Sequence, residues 1–137
     1  MVFCDSIWKD CQDTGRSTGA YIVFYQCGPI DNFTHVPGTV AQYSDESEYN
    51  VASTAVMALS HFWMLNNELL KKDTDVVTEQ ARNIILDRKS AICISKVGKD
   101  TKHTRDISRR MNLVRNGEEL HFHKTVWCGG GTQLADI

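Results

Sequence analysis

At 137 residues, with 42% hydrophobic and 23% charged residues and only 2 prolines, the chain has the size and make-up of one globular domain. That excludes a disordered tail and a collagen-like rod. No apolar stretch approaches the roughly 20 residues that a membrane helix needs, and no basic segment followed by an apolar core opens the chain, so neither a membrane span nor a secretory signal is expected. Five cysteines (Cys4, Cys11, Cys27, Cys93, Cys128), an odd number without a Cys-x-x-Cys pair, predict a reduced, cytoplasmic setting. The net charge of −2 argues weakly against a nucleic-acid binder, but it averages over a segregated chain. Between Arg88 and Arg115 lie Arg88, Lys89, Lys96, Lys99, Lys102, Arg105, Arg109, Arg110 and Arg115, nine of the 15 basic residues, against Asp100 and Asp106. Acids gather elsewhere, at Asp5, Asp10 and Asp13 and around Asp45 to Glu48. Such a run is either a solvated face or a handle for an anionic polymer.

In chain order, Val2 to Asp5 predicts a short strand, and the Asp13–Ser17 segment carries turn chemistry. The stretch 19–26, GAYIVFYQ, is a strand rich in β-branched and aromatic residues, punctuated by Gly28-Pro29. After the turn signal Pro37-Gly38, Thr39 to Tyr43 alternates as a third strand of an antiparallel meander; residues 31–37 receive no assignment. The period then lengthens. Val51, Ala52, Ala55, Val56, Leu59, Phe62, Trp63, Leu69 and Leu70 recur at three- and four-residue spacing and predict a helix over 46–70. Ser44 or Asp45 is its expected cap, with Asp45 and Glu48 as a capping box. Asn83 to Leu86 predicts a strand covered on both faces, followed by a short helix over 90–96, a basic helix over 101–115 and a strand over 120–127. Gly129-Gly130-Gly131 is a flexible loop, after which Thr132 caps a final helix. The order β-β-β-α-β-α-α-β-α implies an α/β domain with a mixed five-stranded sheet, three antiparallel strands and then parallel ones, and helices on both faces.

Four carboxylates fall at telling places in that order. Asp5 ends the first strand, Glu48 sits in the first turn of the long helix, Asp87 follows the apolar strand and Asp136 lies in the last helix. Acids at strand ends converge on the crevice outside the carboxyl edge of an α/β sheet. Clustered there they repel one another unless cations neutralise them, and all-oxygen ligation suits Mg²⁺ or Mn²⁺ better than zinc. Two such metals activate a water and stabilise the leaving oxygen in phosphodiester hydrolysis.

Six phrases, in order over almost the whole chain, carry a resemblance: Phe3-Cys4-Asp5-Ser6-Ile7-Trp8, Asp13 to Tyr21, Thr39 to Tyr49, Leu86 to Ile92, Thr101-Lys102-His103 and Gln133-Leu134-Ala135-Asp136-Ile137. Together they resemble the ribonuclease H domain of copia-type (Pseudoviridae-like) retrotransposon Pol polyproteins. The resemblance implies a ribonuclease H-like fold and a nuclease that cuts the RNA strand of RNA–DNA hybrids during reverse transcription, using two Mg²⁺ ions for which Mn²⁺ can substitute. It carries the metal-binding, catalytic set over to Asp5, Glu48, Asp87 and Asp136. Glu48 is preferred to Glu46 because Glu48-Tyr49 fits the pattern of an acid followed by a large apolar residue. It further implies a covalently linked reverse transcriptase, a place in the cytoplasm within virus-like particles, and a chain cut from a longer polyprotein with its last helix truncated. Arg88, Lys89, Lys102, Arg105, Arg109 and Arg110 are the expected contacts to the hybrid; Lys102, Arg105 and Arg109 share one face of the basic helix and would hold phosphates without reading sequence.

The chain departs from the family in four places. Asp87-Arg88 stands where Asp-Asn is usual, and the segment from His103 to Ile107 is one residue longer. The loop Cys128–Gly131 lacks the histidine that helps product leave in some ribonucleases H, which implies slower turnover, and residues 31–37 match nothing. These departures keep open a second reading, a weak or inactive domain of the same fold that binds nucleic acid or protein. A third is a DNA-directed nuclease using three acids. Among bland assignments, His121 and His123 are expected as exposed surface rather than a zinc pair. Trp8, Trp63 and Trp127 are expected in the core or at its rim, and Cys4 as a small buried hydrophobe.

Overall fold

The computed structural model describes residues 1–70, 82–87, 89, 92 and 108–135. Its strands are β1 (Val2–Ile7), β2 (Thr18–Tyr25), β3 (Gly28–His35), β4 (Arg82–Leu86) and β5 (His123–Trp127). Helices α1 (Ser44–Leu69) and α2 (Ser108–Glu119) and a 3₁₀ turn, Gly130–Thr132, complete the described elements. One sheet runs β3-β2-β1-β4-β5. The first three strands pair antiparallel, and β4 joins β1 and β5 in parallel. The mixed sheet expected from the sequence is therefore present.

Several boundaries differ from expectation; the first strand runs on to Ile7 rather than ending at Asp5. The third strand is β3, which starts at Gly28-Pro29, expected as punctuation, and runs into the unassigned stretch as far as His35, whereas 39–43 is irregular. The β2–β3 connection is a two-residue hairpin with Gln26 at φ 46° and Cys27 at φ 68°, flanked by the pair Tyr25↔Gly28. Positive φ at both central positions is the turn geometry that matches strand twist. Here it is built without the usual Asn-Gly or Asp-Gly signal. As an edge strand, β3 is exposed along nearly all its length, so no period-2 burial marks it. The segment 39–43 instead packs by one residue: Ala41 is buried and its carbonyl accepts a 3.1 Å bond from Trp8 Nε1. The last strand begins at His123 rather than Leu120, because His121, at φ 54°, turns the chain out of α2. The Phe122 amide then bonds back to Gly117 O at 2.8 Å, closing the helix end as a left-handed cap does.

The long helix was expected because its apolar residues share a face, and that face makes the core. Val51, Ala52, Ala55, Val56 and Leu59 pack on Val2, Cys4, Val23, Ile84 and Leu86 of the sheet, with Met111 and Val114 of α2 closing the side. Each large apolar side chain buried this way contributes about 1.5–3 kcal/mol. Close approach of α1 requires Gly19, where a Cβ would overlap the Val51 side chain. The helix start differs from expectation: the N-cap is Tyr43, extended and without a side-chain capping bond. The carboxylate that reaches back is Glu46, accepting the Gln42 amide at 2.7 Å, which leaves Glu48 for other partners. Of the helices expected over 90–96 and 101–115, the described parts are Ile92, which is helical, and α2, which runs on to Glu119; the rest lies outside the described residues. Thr132 closes the 3₁₀ turn, its amide and hydroxyl both bonded to Gly129 O at 2.9 Å.

Candidate metal centre

Parallel neighbours end at the same edge of a sheet, so β1 and β4 deliver the residues at their carboxyl ends side by side. The neighbour of β1 on its other side, β2, returns antiparallel, which makes the β1–β4 seam the place where the sheet's connectivity changes sense and leaves a crevice. Asp5 stands in β1 two residues past Phe3, whose partner in β4 is Ile85, and Asp87 follows Ile85 by two. The first turns of α1 lie across this edge and bring Glu48 down, fully buried. One carboxylate oxygen from each of Asp5, Glu48 and Asp87 lies within 4.8 Å of the others. Asp5 is 6% exposed and Asp87 half-buried.

Three carboxylates at that spacing are unfavourable on their own: at an effective dielectric near 20, each pair of full charges about 5 Å apart repels by about 3 kcal/mol. The surroundings register the same negative potential. Burial pushes the Cys4 thiol well up, with Glu48, Asp5 and Asp87 adding to the shift. Burial likewise raises Cys128, whose bond with Thr132 opposes the rise, while Asp87 and Asp5 reinforce it. The ligand atoms that come together are three carboxylate oxygens. Asp87 Oδ1 is buried without a hydrogen-bond partner among the described residues, an open lone pair facing a cluster of its own charge. A hard divalent cation fits this donor set.

The acids are braced by Ser6 and Ser47, which the sequence did not single out, and by groups around the end of β4. Ser6 Oγ donates to Glu48 Oε1 at 3.0 Å, and Ser47 Oγ donates to Ser6 Oγ at 2.8 Å. Both serines are buried. Where β4 ends, the Cys128 amide bonds to Leu86 O at 2.9 Å and Trp127 Nε1 to Asp87 O at 2.8 Å. Lys89 lies over the Trp127 ring, its ammonium 4.4 Å from the centroid. Each brace neighbours an acid in the chain or a strand end in space, yet no spacing rule picks out a serine beside an aspartate.

Of the expected site residues, the structure brings together Asp5, Glu48 and Asp87. Glu46 is turned to the helix start instead. Arg109 and Arg110 begin α2 on its exposed side, and Arg110 Nη1 donates to Asn50 Oδ1, two residues beyond Glu48. Asp136, Arg88, Lys102 and Arg105 lie outside the described residues. The surface expectation fails for His123, which is 2% exposed: Gly117 supplies the room, since a Cβ there would run into the imidazole. Trp127 and Trp8 stand at the rim, 47% and 38% exposed, and Cys4 is buried as expected.

No family model matches the sequence, and no curated protein matches it. Solved structures do. RNase H1 from the halophilic archaeon Halobacterium salinarum superposes with a TM-score of 0.63 at 15% identity, over 98% of this chain and 88% of that one. The N-terminal RNase H domain of a Mycobacterium tuberculosis protein, solved as a fusion with maltose-binding protein, gives 0.65 at 10% identity, over 96% and 83%. The chain therefore has the ribonuclease H-like fold.

Proposed function

We propose that this chain is a ribonuclease H, hydrolysing the RNA strand of RNA–DNA hybrids with divalent metal. The observation that carries the reading is the buried carboxylate triad at the β1–β4 edge, on a fold shared with RNase H1 domains. Asp5, Glu48 and Asp87, completed by Asp136, would hold two Mg²⁺ ions, for which Mn²⁺ can substitute. When bound, the metals generate the attacking hydroxide and stabilise the leaving oxygen. The remaining work belongs to the chain. Ser6 orients Glu48; Trp127 and Cys128 fix the exit of β4 and with it Asp87. Lys89, Arg109 and Arg110, together with Arg88, Lys102 and Arg105, hold backbone phosphates, while the hybrid is recognised by its shape and its 2′-hydroxyls.

The six ordered phrases support a copia-type retroelement origin within that class: one domain of a Pol polyprotein linked to a reverse transcriptase, acting in the cytoplasm within virus-like particles. The test is cleavage of a labelled RNA–DNA hybrid. Wild type is expected to cut the RNA strand with Mg²⁺ and not with EDTA. Asp87→Asn should lose on the order of 10³-fold or more, beyond what one lost electrostatic donor costs. Absence of cleavage by wild type, or an unimpaired Asp87→Asn, refutes the reading.

A further inference from the structure

We infer that Gln133 is the positioning residue of the metal centre: its side-chain amide sets the separation of the two strand ends that carry Asp5 and Asp87. This rests on the metal-centre reading and assigns the residue that regulates its spacing.

The parallel ladder between β1 and β4 pairs Val2 with Ile84 and Phe3 with Ile85 and goes no further. The two acids stand beyond its end, where strands of a twisted sheet diverge unless something ties them. Cys4 Sγ donates to Ile85 O across the seam at 3.7 Å, and Gln133 adds a second tie from a segment remote in sequence. Its Nε2 donates to Cys4 O at 2.9 Å and to Ile85 O at 3.5 Å, one hydrogen for each strand, as a primary amide allows. Cys4 O belongs to the peptide that leads directly into Asp5, and Ile85 lies two residues before Asp87. The same side chain accepts the Ala135 amide on Oε1 at 3.5 Å, so the segment leading to Asp136 is fastened to the same point. Gln133 is 7% exposed. An amide buried at that depth between two carbonyls can serve all three partners at once, which neither a carboxylate nor an aliphatic side chain can do. Groups that hold metal ligands from behind typically matter 10–100-fold in metal affinity.

The experiment uses the full chain and reads Mn²⁺ binding by electron paramagnetic resonance at fixed pH, alongside amide hydrogen exchange. Gln133→Leu keeps bulk and loses both donations. Gln133→Glu keeps the acceptor for Ala135 and loses the donations, and serves if the leucine variant does not fold. Val114→Ala, in the core away from the acids, is the control for lost stability. Gln133→Leu or Gln133→Glu should weaken Mn²⁺ binding 10–100-fold and speed exchange at Asp5 and Asp87. Val114→Ala should leave the Mn²⁺ constant within about threefold at an equal loss of Tm. Equal effects from Gln133 and Val114 variants, or a Gln133 variant within threefold of wild type, overturn the proposal. Should wild type bind no Mn²⁺, the nuclease reading falls by itself. Exchange then decides the positioning role: faster at Asp5 and Asp87 in the Gln133 variant alone supports it, and unchanged rates overturn it.

Discussion

The two ends of β4 present opposite answers to buried charge. At its carboxyl end, Asp87 joins Asp5 and Glu48 in a cluster of one sign, held by hydroxyls and backbone bonds. At its amino end, about 13 Å away for a five-residue strand, Arg82 is neutralised by no carboxylate among the described residues. Its guanidinium lies between aromatic faces, 3.8 Å from the Trp63 centroid and 4.5 Å from that of Phe122. Nη1 donates to Phe122 O at 2.9 Å. The amino end thus spreads one charge over two ring faces and a carbonyl, with Nε lacking a hydrogen-bond partner among the described residues, whereas the carboxyl end gathers three acids of one sign. Like charges gathered at one edge cost stability on their own, which is why the acids, and not the half-buried arginine, mark the site.

That contrast can be broken by substitution. The largest separation is expected from Asp87→Asn, which relieves repulsion: without metal its Tm should rise by several degrees, as a gain of about 1 kcal/mol does in a domain this size. The rise that millimolar Mg²⁺ gives wild type should vanish in the variant. Calorimetry with and without metal checks both, and a Tm of wild type indifferent to Mg²⁺ would erase the contrast. Arg82→Met should do the reverse, costing about 1–3 kcal/mol in denaturant unfolding through lost stacking and one backbone bond while leaving Mg²⁺ affinity unchanged. Ser6→Ala is subtler. Removing the donor to Glu48 should cost about 1–2 kcal/mol with metal bound and about tenfold in metal affinity, measurable by titration.

The smallest effect concerns pH. Burial lowers the His123 pKa, Glu118 and the Val114 backbone oppose the shift, and Arg82 adds to it. The folded chain therefore resists a proton that the unfolded chain accepts near pH 6.5. His123 contributes full stability above that value and loses it as pH falls towards its lower folded pKa. Tm should decline from pH 7 towards pH 5, and His123→Gln should flatten that part of the profile.

Much of this was legible in the sequence, for reasons that differ by element. Helix α1 announced itself because its apolar positions repeat at helical spacing from Val51 onward, and those from Val51 to Leu59 make the core face; Leu69 and Leu70, at the end of the same repeat, are exposed. β4 and β2 did so through runs of β-branched and aromatic residues. Strand β3 was illegible because an edge strand buries little and its turn uses Gln26 and Cys27 where glycine would have signalled. His123 was mistaken for surface because its burial depends on a missing side chain, that of Gly117, six residues away on another element. Position along the chain drew attention to Asp5, Glu48 and Asp87, but the braces from Ser6, Ser47 and Gln133 arise only when remote segments meet.

The β1–β4 seam also sets a schedule for the chain during its synthesis. Once Asp5 has left the ribosome, the strand that brings its partner follows some 80 residues later, a wait of about 4–16 s at usual elongation rates. Until then β1 can pair with β2 and accept α1, so a meander with a helix across it precedes any complete acid cluster. The emerging chain therefore shelters two acids before the third joins them, so the acid cluster is among the last features that folding completes.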